Sequence, residues 1–511
     1  MKKCKVLIIS TSFKEKWHKL DLKNTENLSI AYLASYLESV GYDVTMINAF
    51  DMNKDNDEVL DYLKGEKYDL IGVSCSPQKL YTVSKDFIKK SRIVYPKAHI
   101  VMGGIFPSLA YEKILYDIPE LDAVIIGEGE YSLEKVCQKI DNNQNDFEKI
   151  DGYACLKNGK LSVCSPIRIE NLDALPFPKR VLDKDQYPGK VAYVIAGKGC
   201  YGNCSFCSIQ SSFGYQRKIY RNPKQIACEI EDLINNYHVN HIQFHDDIFY
   251  DYSKYSQSWL NNFIKEIKMK NLKFTFRIYL RPNDVREEEI IRLKEIGLSM
   301  VFIGAEAGVQ RILDEMNKHV TVEQIKQSVE ILKKVGINIL LGFITLVPTM
   351  SFEELRETYN FIFELDCFSD ANLHNRLNIY YGCKYENILR EKGLIIESKN
   401  FWETVDYKFI DERVALYHNT IRKIREYQND IREKLNKYIK LIKVSDKNLE
   451  MEVIIERIIS LIWKKSTQEL LTIIENEKDL KIEFIDDKQL ENIYKRFDDL
   501  DIFISLLDSI I

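Results

Sequence analysis

Short apolar runs alternate with helical patterns along the first 140 residues of the chain. The runs have the length and composition of buried strands, whereas the stretches between them carry apolar residues at helical spacing. Five strands are predicted, at residues 6–9, 44–47, 70–74, 99–102 and 123–126. Such βαβ repetition is typical of an α/β fold with a doubly wound, mostly parallel sheet, and it predicts a Rossmann-like domain over residues 1–140.

A connector is predicted over residues 141–188. An Asn-Gly dipeptide at 158–159 stands between two short apolar runs, which predicts a β-hairpin. Cys155 and Cys164 flank that turn, could face each other across it, and are interpreted as a structural pair of buried thiols. The run Leu-Pro-Phe-Pro at 175–178 then predicts an extended, stiff linker.

The alternation of strands and helices resumes at residue 192. Strands are predicted at residues 192–196, 241–244, 273–280, 300–303 and 337–344, with helical patterns between them. Repeats of this length predict a partial (β/α)6 barrel of the TIM type over residues 189–385. In such barrels the functional residues lie at the carboxyl ends of the strands.

After residue 386 the glycines and turn signals become rare. Apolar residues recur at helical spacing over 414–442 and again over 451–462. The pattern predicts a helical C-terminal domain over residues 386–511 that caps the barrel and shapes its substrate pocket. The basic side chains of this segment are interpreted as a solvated helix face.

Composition and charge narrow the class of protein. The chain has 511 residues, of which 45% are hydrophobic and 29% charged, and its net charge is −5. These values are typical of a globular protein and argue against nucleic acid as its main partner. No apolar run approaches the roughly 20 residues of a membrane span, and the N-terminus enters a strand pattern without a cleavable signal. Eleven cysteines at irregular spacing suit a reducing compartment, so we expect a cytoplasmic protein.

Three cysteines carry the candidate chemistry. Cys200, Cys204 and Cys207 have Cx3Cx2C spacing in the run Gly-Lys-Gly-Cys-Tyr-Gly-Asn-Cys-Ser-Phe-Cys. Thiolates at this spacing can hold three irons of a [4Fe–4S] cluster and leave the fourth iron open for chemistry. The glycines allow a tight turn, and Phe206 is expected to shield the cluster from solvent. Zinc would need a second pair of ligands, and a disulfide would need an oxidising compartment.

The motif resembles that of the radical S-adenosylmethionine enzymes. In that family S-adenosylmethionine chelates the fourth iron, and reduction of the cluster releases a 5′-deoxyadenosyl radical. The resemblance implies that barrel strand ends hold this cofactor, with Asp246 and Asp247 at its amino group, Arg281 at its carboxylate and Glu306 at its ribose. The structural alternatives are helix caps for the three acids and a partner for Arg281 in Glu288.

The resemblance also implies candidate catalytic residues at the substrate end. Tyr381 and Cys383 fall where relatives carry a Pro-Gly-Thr turn before a tyrosine, which would place them near the open end of the barrel. Cys383 could exchange hydrogen with a radical or be a plain buried cysteine. His245 is interpreted as structural.

The first domain resembles the cobalamin-binding domain attached to one branch of that family. The resemblance rests on the run 27–34 in the first helix and on small, glycine-rich turns at the strand ends. It implies that cobalamin binds at Ser10, Thr11, Ser74, Ser76, Gly103, Gly104, Gly127 and Glu128. No GxGxxG follows the first strand, so a dinucleotide site is not supported.

This domain departs from its relatives at two places. The Asp-x-His-x-x-Gly motif that supplies histidine to cobalt is absent, and His18 and His99 lie outside such a motif. The resemblance therefore implies cobalamin without a histidine on the metal. The usual Gly-Gly-Pro-His turn reads Gly-Gly-Ile-Phe at 103–106, which leaves open a domain that has lost the cofactor and only shapes the active site.

Three functions are compatible with these patterns. The first is a cobalamin-dependent radical S-adenosylmethionine enzyme that methylates an unactivated carbon of a small-molecule or peptide substrate, with electrons from a donor such as flavodoxin or ferredoxin. The second is a radical cyclase or rearrangement enzyme, with or without cobalamin, which needs the same cluster and barrel. The third is a non-catalytic iron–sulfur redox sensor, which would not cleave S-adenosylmethionine.

Overall fold

The computed structural model describes residues 3–13, 26–180, 191–213, 217–368, 370–428, 449–477 and 483–510. His18, the linker residues 181–188 and the predicted apolar positions 431–442 lie outside the described residues. The described chain forms two α/β halves followed by C-terminal helices. Among the described residues, no helix combines the length and apolar character needed to cross a membrane.

The N-terminal half is built on a seven-stranded sheet. Its strands are Lys5–Ser10 (β1), Asp43–Asn48 (β2), Leu70–Ser74 (β3), His99–Gly103 (β4), Ala123–Ile125 (β5), Tyr153–Lys157 (β6) and Lys160–Val163 (β7). Their order across the sheet is β2-β1-β3-β4-β5-β6-β7, in which β1 to β5 are parallel. The five predicted strands are all present, and the predicted doubly wound sheet is confirmed.

Helices cover both faces of this sheet. They are Leu28–Ser39 (α1), Asn56–Tyr62 (α2), Tyr81–Val94 (α3), Ile105–Asp117 (α4) and Glu130–Asp141 (α5). Val6 and Ile8 of β1 point into the core under α1 and α5, whereas Leu7 and Ile9 point into the core under α2, α3 and α4. A strand buried on both faces needs apolar residues at every position, which explains the continuous apolar runs of the sequence.

The hairpin of β6 and β7 belongs to the same sheet. Its Asn-Gly turn at 158–159 has φ angles of 51° and 74°, as a type I′ turn requires. Strand β6 pairs with β5, so the hairpin extends the N-terminal sheet instead of standing apart as a connector. Cys155 lies opposite Ser162, and both Cys155 and Cys164 are half-buried. The expectation of a facing, buried pair of thiols is wrong, because the register places a serine there.

The second half is built on a five-stranded parallel sheet. Its strands, together with two short flanking strands, are Val191–Val194 (β8), Gly197–Lys198 (β9), Ile219–Tyr220 (β10), His241–Phe244 (β11), Thr275–Leu280 (β12), Leu298–Glu306 (β13) and Asn338–Phe343 (β14). The parallel sheet has the order β14-β13-β12-β11-β8, and β9 pairs with β10. The surrounding helices are Ser208–Phe213 (α6), Pro223–Tyr237 (α7), Lys254–Lys270 (α8), Glu287–Glu295 (α9), Gln310–Glu315 (α10), Val322–Val335 (α11), Phe352–Leu365 (α12) and Lys384–Glu391 (α13).

The sixth strand position of the barrel is irregular. Beyond β14 the described chain forms one isolated parallel bridge, between Leu346 and Arg376. The Asn375 side-chain amide donates to the Phe343 carbonyl at 2.8 Å, and the Asn375 carbonyl accepts the Leu346 N–H at 2.9 Å. These two hydrogen bonds provide partners for backbone groups at the end of β14 and just after it, where the described chain forms no regular strand.

The C-terminal helices share the core of the barrel. After the short strands Ile395–Ile396 (β15) and Asp406–Tyr407 (β16), they are Glu412–Tyr427 (α14), Leu449–Asn476 (α15) and Asp487–Ile510 (α16). The hydroxyls of Tyr359 in α12 and Tyr417 in α14 lie 2.6 Å apart, and His374 packs on Trp463 of α15 at 4.4 Å. The predicted helical segment is confirmed, and it packs on the α12 side of the barrel.

Candidate functional site

A cavity of about 980 Å³ lies between the two α/β halves. One wall is formed at the carboxyl ends of β1, β3, β4 and β5, where open parallel sheets bind ligands, and the facing wall is formed by β8, β11 and β12. Ten of the predicted site residues line it, namely Ser10, Thr11, Ser74, Ser76, Gly103, Gly104, Gly127, Glu128, Asp246 and Asp247. Since no described residue of the C-terminal helices lines this cavity, the expectation that they shape it is wrong.

The N-terminal wall, which we call the floor, has small residues at its strand ends, with larger side chains such as Phe50, Lys79 and Leu133 around them. Gly104 has a φ of 119°, and a β-carbon there would lie 3.0 Å from the backbone of Cys75 and Ser76. The Ser108 hydroxyl donates to the Gly104 carbonyl at 2.7 Å and accepts the Gly127 N–H at 3.0 Å, so it joins the two glycine turns. Strand ends without large side chains leave room for a large, flat macrocycle such as the corrin ring of cobalamin.

His99 lies at the start of β4, at the end of the strand that points away from the cavity. Its ring stacks on Phe147 at 4.5 Å, and its Nε2 lies 2.9 Å from the Tyr153 hydroxyl. Burial lowers the pKa of His99. The residue is therefore a structural part of the sheet, as its position in a strand predicts.

An ion pair joins the floor to the barrel. Lys198 Nζ lies 2.9 Å from Glu128 Oε1 and 3.5 Å from Glu130 Oε1, and Glu128 also accepts the Ile169 N–H at 2.7 Å. Burial alone would lower the pKa of Lys198, but the two carboxylates outweigh it and raise that pKa. Lys198 was not predicted, because nothing in the sequence distinguishes it from a solvent-exposed lysine.

The loop that carries the three cysteines runs between β9 and α6 and depends on glycine. Gly199 has a φ of 91°, and a β-carbon there would lie 2.4 Å from the Arg217 carbonyl oxygen. The Gly199 N–H donates to Asp247 Oδ2 at 2.9 Å. A β-carbon at Gly202 would lie 2.4 Å from Nη1 of Arg281. The loop therefore requires glycine at Gly199, as the sequence predicts, whereas a side chain at Gly202 would displace the end of Arg281.

The cysteines lie among hydrogen-bond donors and positive charge. Cys204 is buried, and Cys200 and Cys207 are half-buried. The Gly202 N–H donates to Cys200 Sγ at 3.3 Å, and Arg281 Nη1 donates to Cys204 Sγ at 3.5 Å. Burial raises the pKa of Cys200, and both donors oppose that rise. Because N–H donors and a cation stabilise bound thiolates, the three residues fit a [4Fe–4S] cluster.

The zinc and disulfide alternatives gain no support. Within the described ranges, no three His, Cys, Asp or Glu side chains converge to hold a single metal ion. The thiolates of a cubane need not converge, since each binds a different iron. All eleven cysteines lie in the described ranges, and none of them forms a disulfide there.

Arg281 lies against the cysteine loop. Besides Cys204, its guanidinium donates to the Lys318 carbonyl and lies 5.1 Å from the centroid of the Tyr201 ring. Its Nε is buried and has no hydrogen-bond partner in the described part of the chain. Glu288, the alternative partner, is exposed on α9. A donor therefore remains beside the loop for the carboxylate that the resemblance implies.

The two aspartates after β11 have different environments. Asp246 is buried, and its carboxylate binds Lys218 Nζ at 2.6 Å and the Ala196 N–H at 3.0 Å. Burial raises the pKa of Asp246, and Lys218 opposes that rise. Asp247 is exposed to the cavity. Neither caps α8, whose N-cap is Ser253, so Asp246 braces the strand end while Asp247 can accept a further hydrogen bond.

Glu306 ends β13 with a strained backbone. Its φ is 66°, which costs a non-glycine residue about 1–3 kcal/mol and is found most often at functional sites. Its carboxylate binds Lys318 Nζ at 2.8 Å, and its carbonyl accepts the Ile344 N–H at 2.7 Å. It does not cap α10, whose N-cap is Val309. Lys318, which contacts both Glu306 and Arg281, lies in a loop without a motif and was not predicted.

Tyr381 and Cys383 lie away from the cavity. The Tyr381 ring packs against Phe106 and Phe401, with centroids 6.2 and 6.4 Å away, and Lys113 Nζ lies 4.9 Å from its centroid. Cys383 is buried at the N-cap of α13. The turn at 380–383 leads directly into this helix, so the structure places Tyr381 in the contact between the two halves and Cys383 in the core.

Two aromatic residues flank the cysteine loop. Phe206 is half-buried and packs against the barrel core, a position compatible with the predicted shield. Burial, followed by the nearby Cys207 and Cys383 thiols, raises the pKa of Tyr380, whose side chain is 45% exposed. Tyr380 thus lies near the loop, and no sequence signal distinguished it from Tyr381.

The barrel wall of the cavity contains polar residues that were not predicted. They are Tyr193 on β8 and Arg277 and Tyr279 on β12. His245, interpreted as structural, is exposed on the same wall and meets Tyr193 edge-on at 5.9 Å. The sequence did contain a signal for Arg277 and Tyr279, since both alternate with apolar residues along β12.

Two family models match this chain. The B12 binding domain matches residues 22–137, and the radical SAM superfamily matches residues 194–362. The anaerobic magnesium-protoporphyrin IX monomethyl ester cyclase of Rubrivivax gelatinosus is 30% identical over 343 residues, which are 65% of this chain and 60% of the cyclase. The chain thus spans less than two thirds of that curated relative.

Two solved structures share the fold. The cobalamin-dependent S-adenosylmethionine radical enzyme OxsB, with aqua-cobalamin bound, has a TM-score of 0.78 and 16% identity, over 99% of this chain and 80% of that one. The radical S-adenosylmethionine methyltransferase TsrM of Kitasatospora setae, with tryptophan and an S-adenosylmethionine analog bound, has a TM-score of 0.66 and 15% identity, over 77% of this chain and 78% of that one. At these identities the likeness concerns the fold alone.

The two matched domains determine the cofactors. A radical SAM domain uses a [4Fe–4S] cluster and S-adenosylmethionine, and a B12 binding domain uses cobalamin. The cysteine loop and the glycine floor fit these groups, for the reasons given above. The chain belongs to the radical S-adenosylmethionine enzymes that carry a cobalamin-binding domain.

Proposed function

We propose that the protein is a cobalamin-dependent radical S-adenosylmethionine methyltransferase that methylates an unactivated carbon of a small-molecule or peptide substrate. The observation that supports this reaction is the single cavity of about 980 Å³ shared by the floor and the barrel wall. A methyl donor and a radical source must both reach one carbon atom, and one shared cavity allows that.

The residues of both walls have defined tasks in this proposal. When bound, the cluster with S-adenosylmethionine would supply a radical that removes hydrogen, and cobalamin would supply the methyl group. Cys200, Cys204 and Cys207 hold the cluster, while Asp247 accepts from the amino group of S-adenosylmethionine. Arg281 binds its carboxylate, Glu306 accepts from its ribose hydroxyls, and the floor turns hold the corrin ring.

The remaining task of the chain is to hold the walls in place and to exclude water. The pair between Lys198 and Glu128 fastens the floor to the barrel at the entrance to the cysteine loop. The buried pair of Lys218 and Asp246 fixes the end of β11 behind that loop. Both pairs restrict movement of the walls, which keeps solvent from a reactive carbon radical.

The reaction also needs electrons. Radical S-adenosylmethionine enzymes require a reductant, and we propose a donor such as flavodoxin or ferredoxin. We place the protein in the cytoplasm, because eleven cysteines that form no disulfide among the described residues suit a reducing compartment.

Isotope-labelled turnover tests the proposal. The full chain is reconstituted anaerobically with iron, sulfide and hydroxocobalamin and then incubated with reductant and S-adenosylmethionine that carries a trideuterated methyl group. We expect both S-adenosylhomocysteine and 5′-deoxyadenosine, because methylation consumes one S-adenosylmethionine as methyl donor and another as radical source. Formation of 5′-deoxyadenosine without S-adenosylhomocysteine would contradict methyl transfer, and formation of neither would favour the redox sensor.

A radical cyclase is the second candidate, favoured by the 30% identity with the Rubrivivax cyclase. Ring closure leaves the methyl group of S-adenosylmethionine untouched, so it predicts 5′-deoxyadenosine alone. The same labelled incubation therefore distinguishes the two reactions.

A further inference from the structure

Arg277 lies in the interior of the barrel, in the middle of β12. Along this strand Phe276, Ile278 and Leu280 are buried against the helices, so the residues between them point to the opposite side. Arg277 and Tyr279 accordingly line the cavity. A guanidinium thus faces the space that the proposed function assigns to the substrate.

The protein itself neutralises this guanidinium poorly. Its Nη2 donates to the Tyr279 hydroxyl at 2.8 Å, and the group lies 5.3 Å from the centroid of the same ring. Its Nε is buried and has no hydrogen-bond partner in the described ranges. Burying donors of a cation without partners costs free energy. An anion in the cavity would remove that cost.

Four of the five carboxylates that line the cavity pair with cations, and the fifth, Asp247, accepts a backbone N–H. Their partners are Lys218 for Asp246, the Gly199 N–H for Asp247, Lys198 for Glu128 and Glu130, and Arg180 for Glu26. None of these contacts involves Arg277. Among the described residues, no carboxylate of the cavity wall therefore forms an ion pair with Arg277.

Polar side chains continue the site across the neighbouring strands. Tyr193, Gln243 and Arg277 are in register on β8, β11 and β12, so they stand in one row across the barrel. Burial raises the pKa of Tyr193, and the charge of Arg277 opposes that rise, as expected for two groups that are close together. The row places hydroxyl, amide and guanidinium donors side by side.

We propose that Arg277 binds an oxyanion of the organic substrate, a carboxylate or a phosphate, inside the barrel. The inference rests on the proposed function, since it assumes that the substrate occupies this cavity. A guanidinium binds both kinds of oxyanion through paired N–H donors, and the hydroxyl of Tyr193 can add another donor.

The position of Arg277 separates it from the cofactor contacts. Arg281, the candidate partner of the S-adenosylmethionine carboxylate, lies four residues further along the chain, which corresponds to about 13 Å along a strand. Arg281 contacts the cysteine loop, whereas Arg277 lies deeper in the barrel. The glycine floor for cobalamin belongs to the opposite wall.

Binding of inorganic phosphate tests the inference without turnover. The full chain, loaded with cluster and cobalamin, is titrated with phosphate by isothermal titration calorimetry in the presence of saturating S-adenosylmethionine. We expect one saturable site whose affinity falls at least tenfold in R277Q, because charge-assisted hydrogen bonds are lost. R277K retains the charge without the planar fork and serves if R277Q does not fold, with a smaller loss expected. The matched control is R292Q, which removes a guanidinium from α9 outside the cavity and leaves phosphate affinity unchanged.

Three results would overturn the inference. They are equal phosphate affinity in wild type and R277Q, phosphate binding that occurs without S-adenosylmethionine but disappears at saturating S-adenosylmethionine, and a loss of S-adenosylmethionine or cobalamin binding in a folded R277Q protein. The last two would assign Arg277 to a cofactor. Because the titration needs no methyl transfer, a protein that binds phosphate through Arg277 but forms no S-adenosylhomocysteine would contradict the proposed reaction alone.

Discussion

At its strand ends the floor of the cavity presents glycines, serines and backbone, whereas the barrel half contains buried charged side chains held in pairs. On the floor, a β-carbon at Gly104 would already meet the neighbouring turn. On the barrel side, Lys218 and Asp246 form a buried pair, and Lys318 pairs with the strained Glu306. A large ring is accommodated by the absence of side chains, while small polar groups are oriented by fixed charges. A substitution on either side should therefore impair binding of the cofactor held on that side and leave the other cofactor bound.

Removing one cysteine should destroy the function of the barrel wall alone. In C204A the cluster keeps two of its three protein ligands, so we expect loss of its absorbance and of all 5′-deoxyadenosine formation. Cobalamin should still be retained, because the floor is untouched. C228S, which changes a half-buried cysteine of α7, is the control and should keep the cluster. A C204A protein that still cleaves S-adenosylmethionine would contradict the assignment.

Filling the floor should have the opposite effect. In G104A the new β-carbon meets the turn at Cys75 and Ser76, so we expect cobalamin stoichiometry to fall at least tenfold while the cluster remains. Gly65 provides a matched control, since its φ of 92° imposes a similar backbone strain but its surroundings are open. G65A should therefore keep cobalamin. Equal cobalamin binding by G104A and wild type would show that the floor is not the corrin site.

The barrel half should also show a pH-dependent stability through Asp284. Burial raises the pKa of Asp284 to about 6, although Tyr201 and Arg281 oppose it. Between about pH 4 and 6 the unfolded chain loses this proton and the native protein keeps it, so stability falls as pH rises, by up to about 3 kcal/mol.

Urea unfolding of the full chain across this pH range checks the prediction. The D284N variant should lose the decrease in unfolding free energy between about pH 4 and 6. The D314N variant, which alters an exposed aspartate of α10, should keep that decrease. The same dependence of unfolding free energy on pH in D284N and wild type would contradict the assignment of this effect to Asp284.

The smallest effect is expected from Cys383. Its thiol is buried at the start of α13 and does not line the cavity, so C383A should lose only about 1–2 kcal/mol of stability from the lost packing. Cluster, cobalamin and 5′-deoxyadenosine formation should remain at wild-type levels. A folded C383A protein that keeps both cofactors but forms no product would restore Cys383 as a catalytic residue.

The sequence predicted those features that depend on one segment. The apolar runs of β1 to β5 marked strands covered on both faces, and the cysteine spacing marked the loop. Gly199 was also predictable, because a tight turn with a positive φ demands glycine. The turns of the floor could be named because the carboxyl ends of parallel strands share one edge of a sheet.

The sequence did not predict contacts between distant segments. Lys198, Lys218 and Lys318 are ordinary lysines in the sequence, and only the fold brings each to its carboxylate. Arg277 was overlooked for a related reason, since only the fold shows that its Nε is buried without a hydrogen-bond partner among the described residues. The positions of Tyr381 and Cys383 could not be inferred either, because they depend on where the two halves meet.

The central claim is that cobalamin and the cluster face each other across one cavity, and electron paramagnetic resonance tests it most directly. The full chain is reconstituted anaerobically with cluster and hydroxocobalamin, desalted and reduced. The account predicts one cobalamin per chain, a cobalt(II) signal without nitrogen hyperfine coupling, and faster cobalt relaxation when the cluster is reduced. A protein that keeps the cluster but no cobalamin, or a cobalt signal unaffected by the cluster, would contradict it.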